Sequence, residues 1–342
     1  MSHLFFVFGA IGGHGVADRT RGVRARAAAK GLFAGILASG GVFLVVQPYA
    51  LLDWTRFYSD FVEQAEMVRR IRDYPYTRQY IDTTPYWYHI RQFAAWGLGW
   101  PLGVVAWVGL VCAALRGTRL RYGLAYVVAG WVVPMGILLL STSMVAIIAA
   151  SVFAFTAILA SVPYRSPGTR GDLLLLSWVV PYFLITGALE VKFLRYLIPI
   201  APFLLLFASK MMFSLWDRTS LSRPNLRPLL VAGFVFLIAG TGAYALSYME
   251  VYSEPHTGVR MSQWINQHAR EGSVILKEHW EEGLPQVEPY VVREMPLYEP
   301  DTPEKLGQVA GMLAEADYIA FFSNRLYGSI PRLPERYPYT QQ

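Results

Sequence analysis

Residues 190–202, which read EVKFLRYLIPIAP, are the most informative segment of the sequence. It places the ionisable residues Glu190, Lys192 and Arg195 between two apolar runs, 173–189 and 197–207. Apolar runs of this kind favour lipid, and a charge at the centre of a bilayer costs about 2.5–3.5 kcal/mol on insertion scales. The sequence therefore predicts that these charges lie at a membrane–water boundary.

Two interpretations of the cations in this stretch are open. Lys192 and Arg195 stand next to Tyr196, and two cations beside an aromatic ring at this depth are suited to bind a lipid-linked phosphate. Alternatively, the two side chains only extend their charged ends to water and anchor a turn.

The composition is too apolar for an ordinary soluble domain. Of the 342 residues, 54% are hydrophobic and 16% are charged, and an aromatic share of 15% fits aromatic belts at two membrane interfaces. The net charge is +6, and the basic residues collect in short loops, so no nucleic-acid partner is expected. The single cysteine, Cys112, cannot form an internal disulfide.

The apolar runs on either side of residues 190–202 predict an α-helical polytopic membrane protein with about seven spans. A transmembrane helix needs about 20 mainly apolar residues. The predicted spans are residues 31–52, 93–115, 122–140, 144–162, 173–189, 196–216 and 228–249. Pro101, Pro134 and Pro181 interrupt three of them, which transmembrane helices tolerate.

Residues 1–30 are predicted to contain the end of a longer span and a basic cytoplasmic segment. The apolar residues 4–12 are too few to cross a membrane. Their basic neighbours follow the apolar core, whereas a signal peptide carries its positive charge before it. We therefore expect the chain to lack its N-terminal part, and the alternative is a short disordered start.

The basic residues of the short loops predict the orientation. They collect in segments 19–30, 116–121, 165–170 and 218–227. Because short basic loops stay in the cytoplasm, we expect a plasma-membrane protein with its N-terminus inside and residues 250–342 outside. The bundle would comprise residues 31–249, with loop 53–92 outside. Six carboxylates in that loop offset its six arginines.

The external loop 53–92 carries two patterns. Apolar residues line one face of residues 53–72, which is typical of a helix lying in the headgroup layer. Alternating aromatic and cationic residues follow, and they favour either a sugar or headgroup surface or a plain aromatic belt. The candidate sugar or headgroup contacts are Arg78, Tyr80, His89 and Arg91.

Residues 250–342 have the composition of a small α/β domain. Helices are predicted over residues 259–269 and 303–314, the second with Thr302 as N-cap. Strands are predicted over residues 273–277 and 317–322.

The sequence indicates no metal centre and no cofactor. Its histidines are scattered and no His/Cys pair has zinc spacing. Residues 279–282, which read HWEE, could contact a divalent cation or form a solvated loop. Motifs for nucleotide phosphates, dinucleotides and serine nucleophiles are missing from the sequence.

Several motifs together resemble the GT-C class of membrane glycosyltransferases, and within it the bacterial family-39-like branch related to protein O-mannosyltransferases. These motifs are QPYALLD at 47–53, PYTRQY at 75–80, TPY at 84–86, VKFLRYL at 191–197, SQWI at 262–265, GSVI at 272–275 and EHW at 278–280. The resemblance covers nearly all of the chain after Gly31, and the order of the motifs strengthens it.

The resemblance implies an enzyme that takes a sugar from a polyprenyl-phosphate carrier in the membrane. The acceptor would be a glycan, lipid or protein on the extracytoplasmic face, and no nucleotide sugar or soluble cofactor would be needed. Lys192, Arg195 and Tyr196 would bind the lipid phosphate. The family's catalytic carboxylate lies in an earlier external loop that has no counterpart here, so only Asp53 and Asp82 are candidates.

Two other functions are compatible with the sequence. One is a non-catalytic or truncated membrane partner of such an enzyme. The other is a secondary transporter, which would show broken helices in two related halves, whereas no internal repeat is found in the sequence.

Overall fold

The structure, a computed structural model, describes residues 18–115, 167–284 and 289–341. The chain divides into two compact units. The first unit comprises residues up to Ile71 together with Thr83–Tyr244. The second comprises Arg72–Asp82 together with Ala245–Gln342, so a short segment from early in the chain belongs to the C-terminal unit.

The first unit is built from helices. Its α-helices are α1 (Asp18–Val46), α2 (Tyr49–Leu52), α3 (Trp54–Val68), α4 (Trp87–Gln92), α5 (Trp100–Leu115), α6 (Pro167–Gly187), α7 (Ala201–Ser222) and most of α8 (Arg227–Met249). A π-helical turn, Phe93–Gly97, lies between α4 and α5. The 3₁₀ turns Leu194–Ile200 and Pro224–Leu226 precede α7 and α8.

The core of the first unit lies where α5, α6 and α7 meet. Its fully buried side chains include Ala106, Leu176, Val179, Leu197, Ile200 and Leu204. Helices α5 and α7 approach closely at Gly109, where an added Cβ would lie 2.7 Å from the backbone nitrogen of Ala208. A side chain at position 109 would therefore force the two helices apart.

The prediction of seven membrane spans is wrong. Within the described part of the chain, two helical stretches are long and apolar enough to cross a membrane, Leu194–Ser222 and Pro224–His268. The apolar window is 28% buried in the first stretch and 0% buried in the second. The predicted spans 122–140 and 144–162 lie outside the described residues.

The remaining predicted spans are shortened because helices end inside the apolar runs. Helix α1 ends at Val46, before the Gln47-Pro48 pair, and a residue that precedes proline disfavours helix. The run 93–115 is divided at Gly99, which has a φ of 77°. The resulting apolar helices, Phe33–Val46, Trp100–Ala114 and Leu174–Ala188, are shorter than a span.

The second unit contains a small parallel sheet. Its strands are β1 (Val274–Lys277), β2 (Val291–Glu294) and β3 (Tyr318–Ala320), in the order β2-β1-β3. Val274 pairs with Val291, and Ile275 pairs with Tyr318. Its helices are α9 (Thr257–His268), α10 (Pro303–Glu315) and α11 (Arg325–Ser329).

The sequence correctly predicted most of these C-terminal elements. Both helices and the strands β1 and β3 are confirmed within a few residues. The Thr302 hydroxyl accepts the backbone N–H of Lys305 at 3.2 Å, which confirms it as the N-cap of α10. Strand β2 was not predicted, because its side chains are all exposed and show no apolar alternation.

Candidate functional site

The first unit brings Arg70, His89, Glu190 and Lys192 together just before the apolar stretch that contains α7; we call these four residues the Lys192 cluster. The Lys192 ammonium donates a hydrogen bond to the backbone carbonyl of Glu190 at 3.1 Å. The Arg70 Nη2 lies 3.9 Å from the Glu190 carboxylate. The positive charge of Lys192 also acts on His89.

Backbone hydrogen bonds tie the segment after α6 to the end of α3. The carbonyl of Val68 accepts the N–H groups of Glu190 and Val191 at 3.1 and 3.2 Å. Two residues later Arg70 has a φ of 54°, in the left-handed region that is uncommon for residues other than glycine. These contacts place Glu190 and Arg70 side by side.

Tyr86 fixes α4, and with it His89, against the end of α6. Its backbone N–H donates to the carbonyl of Gly187 at 3.0 Å, and its hydroxyl donates to the carbonyl of Leu184 at 3.2 Å. An added Cβ at Gly187 would lie 2.4 Å from the Tyr86 ring, so this close approach requires glycine. Tyr86 itself has a φ of 60°, and such strained residues cluster at functional sites.

His89 is a buried imidazole that finds no hydrogen-bond partner in the part of the chain that the structure describes. Its side chain is nearly inaccessible, with 1% of the residue exposed, and neither ring nitrogen is hydrogen-bonded. Burial, together with the charge of Lys192, lowers the pKa of His89 to about 4. The ring is therefore neutral at pH 7 and offers one donor and one acceptor to a ligand.

Lys192 supplies a buried positive charge, and Arg70 supplies one on a side chain that is 20% exposed. Lys192 is 3% exposed, and burial lowers its pKa; the charge of Arg70 acts in the same direction and Glu190 opposes it. The Nε and Nη2 atoms of Arg70 are buried and make no hydrogen bond. Together these groups can hold a phosphate or another anion with charge-assisted hydrogen bonds.

Arg195 and Tyr196 lie beyond Lys192 in the sequence and differ from it in exposure. The exposed Arg195 guanidinium lies 4.1 Å from the ring centroid of Phe193 and 5.9 Å from that of Tyr196. Tyr196 is partly buried, and its carbonyl accepts a hydrogen bond from the Tyr182 hydroxyl at 2.7 Å. Arg195 is thus held on two aromatic faces, where it can meet a headgroup from the solvent side.

The structure does not gather the predicted sugar contacts of loop 53–92 into one unit. His89 and the exposed Arg91 are in the first unit, whereas Arg78 and Tyr80 are buried in the second. The Arg78 guanidinium donates to the Asp73 carboxylate at 2.9 Å and to the carbonyl of Tyr298 at 3.1 Å. These bonds account for its burial, and its contact with a sugar stays a prediction.

The two carboxylates that the sequence offered for catalysis have different settings. The Asp53 Oδ1 accepts the backbone N–H of Arg56 at 3.2 Å and so caps α3. Asp53 also lines a polar cavity of about 380 Å³ together with Arg56 and Asp60. Asp82 belongs to the second unit and has a φ of 61°. Neither Asp53 nor Asp82 belongs to the Lys192 cluster, whose carboxylate is that of Glu190.

A metal centre is not found in the part of the chain that the structure describes. No group of three or more His, Cys, Asp and Glu side chains in those residues could hold an ion. In the predicted cation contact at residues 279–282, the Nδ1 of His279 instead accepts the backbone N–H of Tyr298 at 3.0 Å.

The sequence did not indicate two members of the cluster. Arg70 was counted only among the arginines of loop 53–92, and Glu190 only among the charges of residues 190–202. Their pairing depends on hydrogen bonds between segments that are distant in sequence, for which no local pattern exists.

Comparison of the chain with protein-family models, with curated proteins and with solved structures finds no match.

Proposed function

We propose that this chain is a membrane-associated glycosyltransferase that moves a sugar from a polyprenyl-phosphate carrier to an acceptor on the extracytoplasmic face. The observation that carries the proposal is the Lys192 cluster. Buried donors on Arg70 and His89 have no hydrogen-bond partner among the described residues, and Lys192 adds a positive charge beside them. Uncompensated buried donors are costly, and an anion would satisfy them.

The surroundings favour a lipid-linked anion over a soluble one. Lys192 comes two residues before Leu194–Ser222, a stretch long and apolar enough to cross a membrane. Ile198, Leu206 and Phe213 on this stretch expose more than half of their surface, which suits contact with lipid chains. A phosphate on a membrane lipid would then meet Lys192 at headgroup depth, and Arg195 from the solvent side.

In the proposed reaction, three residues of the Lys192 cluster would act in a direct transfer. The acceptor hydroxyl oxygen would bond to the anomeric carbon of the donor sugar while the bond from that carbon to the phosphate oxygen breaks. The phosphate leaves with the bonding electron pair, and Lys192 and Arg70 stabilise its charge. The Glu190 carboxylate takes the proton of the acceptor hydroxyl.

The orientation of the chain in the membrane is part of the same proposal. The basic residues of segments 19–30 and 218–227 favour a cytoplasmic location. The second unit and the Lys192 cluster would then lie on the outer side of the cell membrane, where polyprenyl-linked sugars are used.

A transfer assay in membranes tests the proposal, with a radiolabelled polyprenyl-phosphate sugar as donor and endogenous acceptors. Lys192→Met keeps the length of the side chain and removes its charge, and we expect it to lower transfer about 10²-fold. Glu190→Gln removes the base and should lower transfer to a similar extent. Arg260→Ala is the control, because Arg260 is exposed in α9 and pairs with the exposed Glu254 at 3.8 Å.

Wild-type activity with loss in both cluster variants supports the proposal. Full transfer by Lys192→Met and Glu190→Gln would overturn the assigned roles. If the wild-type chain binds the carrier without transferring sugar, it is a non-catalytic partner rather than the enzyme.

A further inference from the structure

Three aromatic rings of the second unit stand in a row. The rings of Tyr74 and Tyr76 are stacked with centroids 5.7 Å apart, and the ring of Trp280 follows at 6.3 Å from Tyr76. Trp280 is 49% exposed, so its ring does not belong to the core. The row joins the segment Arg72–Asp82 to the end of strand β1.

Trp280 lies just after the carboxyl end of strand β1, and ligands commonly bind at this end of a parallel sheet. In parallel sheets the crevice beyond the carboxyl ends of the strands is the usual ligand site, and Trp280 follows the central strand β1 by three residues. Trp280 has a φ of 63°, which is a genuine outlier for a bulky side chain. The backbone is thus held in a costly conformation that presents the indole ring.

Hydrogen-bonding groups converge beside the ring. The Nδ1 of His279 accepts the N–H of Tyr298, so the proton of the neutral ring is on Nε2. That Nε2 lies 3.7 Å from the carboxylate of Glu294 and 4.0 Å from that of Glu299, and both separations are longer than a hydrogen bond. The Nε2 donor of His279 therefore has two carboxylates within 4.0 Å, and their side chains are 39% and 60% exposed.

We infer that this surface of the second unit, formed by Tyr76, His279, Trp280, Glu294 and Glu299, binds a saccharide. The C–H groups of a sugar ring carry partial positive charge and pack on the negative face of an aromatic ring. Sugar hydroxyls donate to the two carboxylates, and one hydroxyl oxygen accepts the Nε2 proton of His279. The inference deepens the proposed function, on which it rests, because it identifies the acceptor as a glycan.

The charges of this surface argue against other ligands. Two carboxylates repel a phosphate, and Lys277 already pairs with Glu294 at 2.5 Å. Lys305 and Arg78, whose charges also act on His279, pair with Asp301 at 2.8 Å and with Asp73 at 2.9 Å. A metal ion is not favoured, since the described residues contain no group of ligands that could hold one. An uncharged polyol is the ligand class that uses both the aromatic rings and the carboxylates.

Saturation-transfer difference NMR on the full chain in lipid nanodiscs tests the inference, with cellotriose and maltotriose as probes. Trp280→Ala is expected to weaken binding of the better probe about tenfold or more. Trp264→Ala is the matched control, because Trp264 lies on α9 of the same unit, is 50% exposed and stacks on His268 instead. Trp280→Gly suits a positive φ, so its loss of binding would not reflect unfolding.

Binding by the wild type and by Trp264→Ala, together with loss in both Trp280 variants, supports the inference. Failure of the wild type to bind either trisaccharide, or equal binding by the Trp264 and Trp280 variants, would overturn it. The probes carry no phosphate and no lipid, so Lys192→Met should bind them like the wild type. Failure of the glycan surface is therefore distinguishable from failure of the phosphate site in the transfer assay.

Discussion

Burial sets the chemistry of individual residues in the Lys192 cluster. Lys192 and His89 are both almost fully buried, and burial is the main cause that lowers the pKa of each. A neutral His89 avoids like-charge repulsion with Lys192 and keeps a donor and an acceptor for a ligand. An anion bound between them would favour protonation of both groups, so anion binding and proton uptake are linked.

We predict that acid destabilises the protein through His89. Its folded pKa of about 4 lies below the ordinary value of 6.5, so the unfolded chain takes up this proton first as the pH falls. The contribution of His89 is present above pH 6.5 and is lost between pH 6.5 and 4, on the order of 3 kcal/mol. The thermal unfolding midpoint in detergent, measured from pH 7.5 to 4.5, checks this.

Two variants control that measurement. His89→Gln removes the titrating group, so its midpoint should fall less steeply between pH 6.5 and 4.5 than that of the wild type. His268→Gln, at an exposed position on α9, should keep the wild-type dependence. Parallel curves for the wild type and His89→Gln would contradict the account.

At the level of single residues, the sequence predicted candidate binding residues but not the residues that they contact. Lys192 and His89 were both singled out, because cations and aromatics cluster in residues 73–91 and 190–202. Their proximity, and the presence of Arg70, depend on the anchoring of residues 190–191 by Val68. Nothing in the local sequence encodes that contact.

Close packing of α5 on α7 holds the elements that carry the Lys192 cluster. The contact runs through Gly109, beside the buried Phe207 and Ala208, and small residues allow helices to approach in this way. Because the 3₁₀ turn Leu194–Ile200 leads directly into α7, a shift of α7 would displace the segment that contains Lys192.

We predict that Gly109→Ala destabilises the protein by about 1–3 kcal/mol, because its Cβ would lie 2.7 Å from backbone atoms of Phe207 and Ala208. Gly233→Ala in α8 is the matched control, since no atom lies within 4 Å of its added Cβ. There the helix propensity of alanine should leave stability unchanged or raise it by up to about 1 kcal/mol. The thermal midpoints of the two variants decide, and equal midpoints would disprove the packing argument.

The sequence predicted helices and strands correctly where neighbouring residues decide the backbone conformation. The Thr302 cap of α10 and the apolar strand β1 follow from a few adjacent residues. Strand β2 has no such signal, and it forms because its backbone pairs with β1 over Val291–Glu294. The amphipathic pattern of residues 53–72 does form a helix, α3, and Trp54 and Phe61 expose more than half of their surface on it.

At the scale of the whole molecule, the main feature is a large apolar surface on the described helices that is unfavourable in water. Helix α8 is exposed along almost all of its length, with Leu237 as its buried residue, and Leu229, Phe236 and Ile238 are at least 70% exposed. Contiguous apolar surface of this extent indicates contact with lipid or with a partner. Counting apolar residues overestimated the number of spans, because helix breaks such as Pro48 and Gly99 divide the runs.

We predict that the chain stays in the membrane pellet when cell membranes are washed with alkaline carbonate, and that detergent releases it. The physical reason is that transfer of the apolar side chains of Leu194–Ser222 and Pro224–His268 from lipid into water has an unfavourable free energy. Release of the chain by carbonate alone would show that it is only peripherally bound.

The central claim, that the Lys192 cluster binds the phosphate of a membrane lipid, is tested most directly by ligand binding to the purified full chain. Native mass spectrometry in detergent can compare undecaprenyl phosphate with undecaprenol, which has the same chain and no phosphate. We predict that the wild type prefers the phosphate at least about tenfold, and that Lys192→Met loses this preference while Arg260→Ala keeps it. Equal binding of both lipids by the wild type, or an undiminished preference in Lys192→Met, would contradict the account.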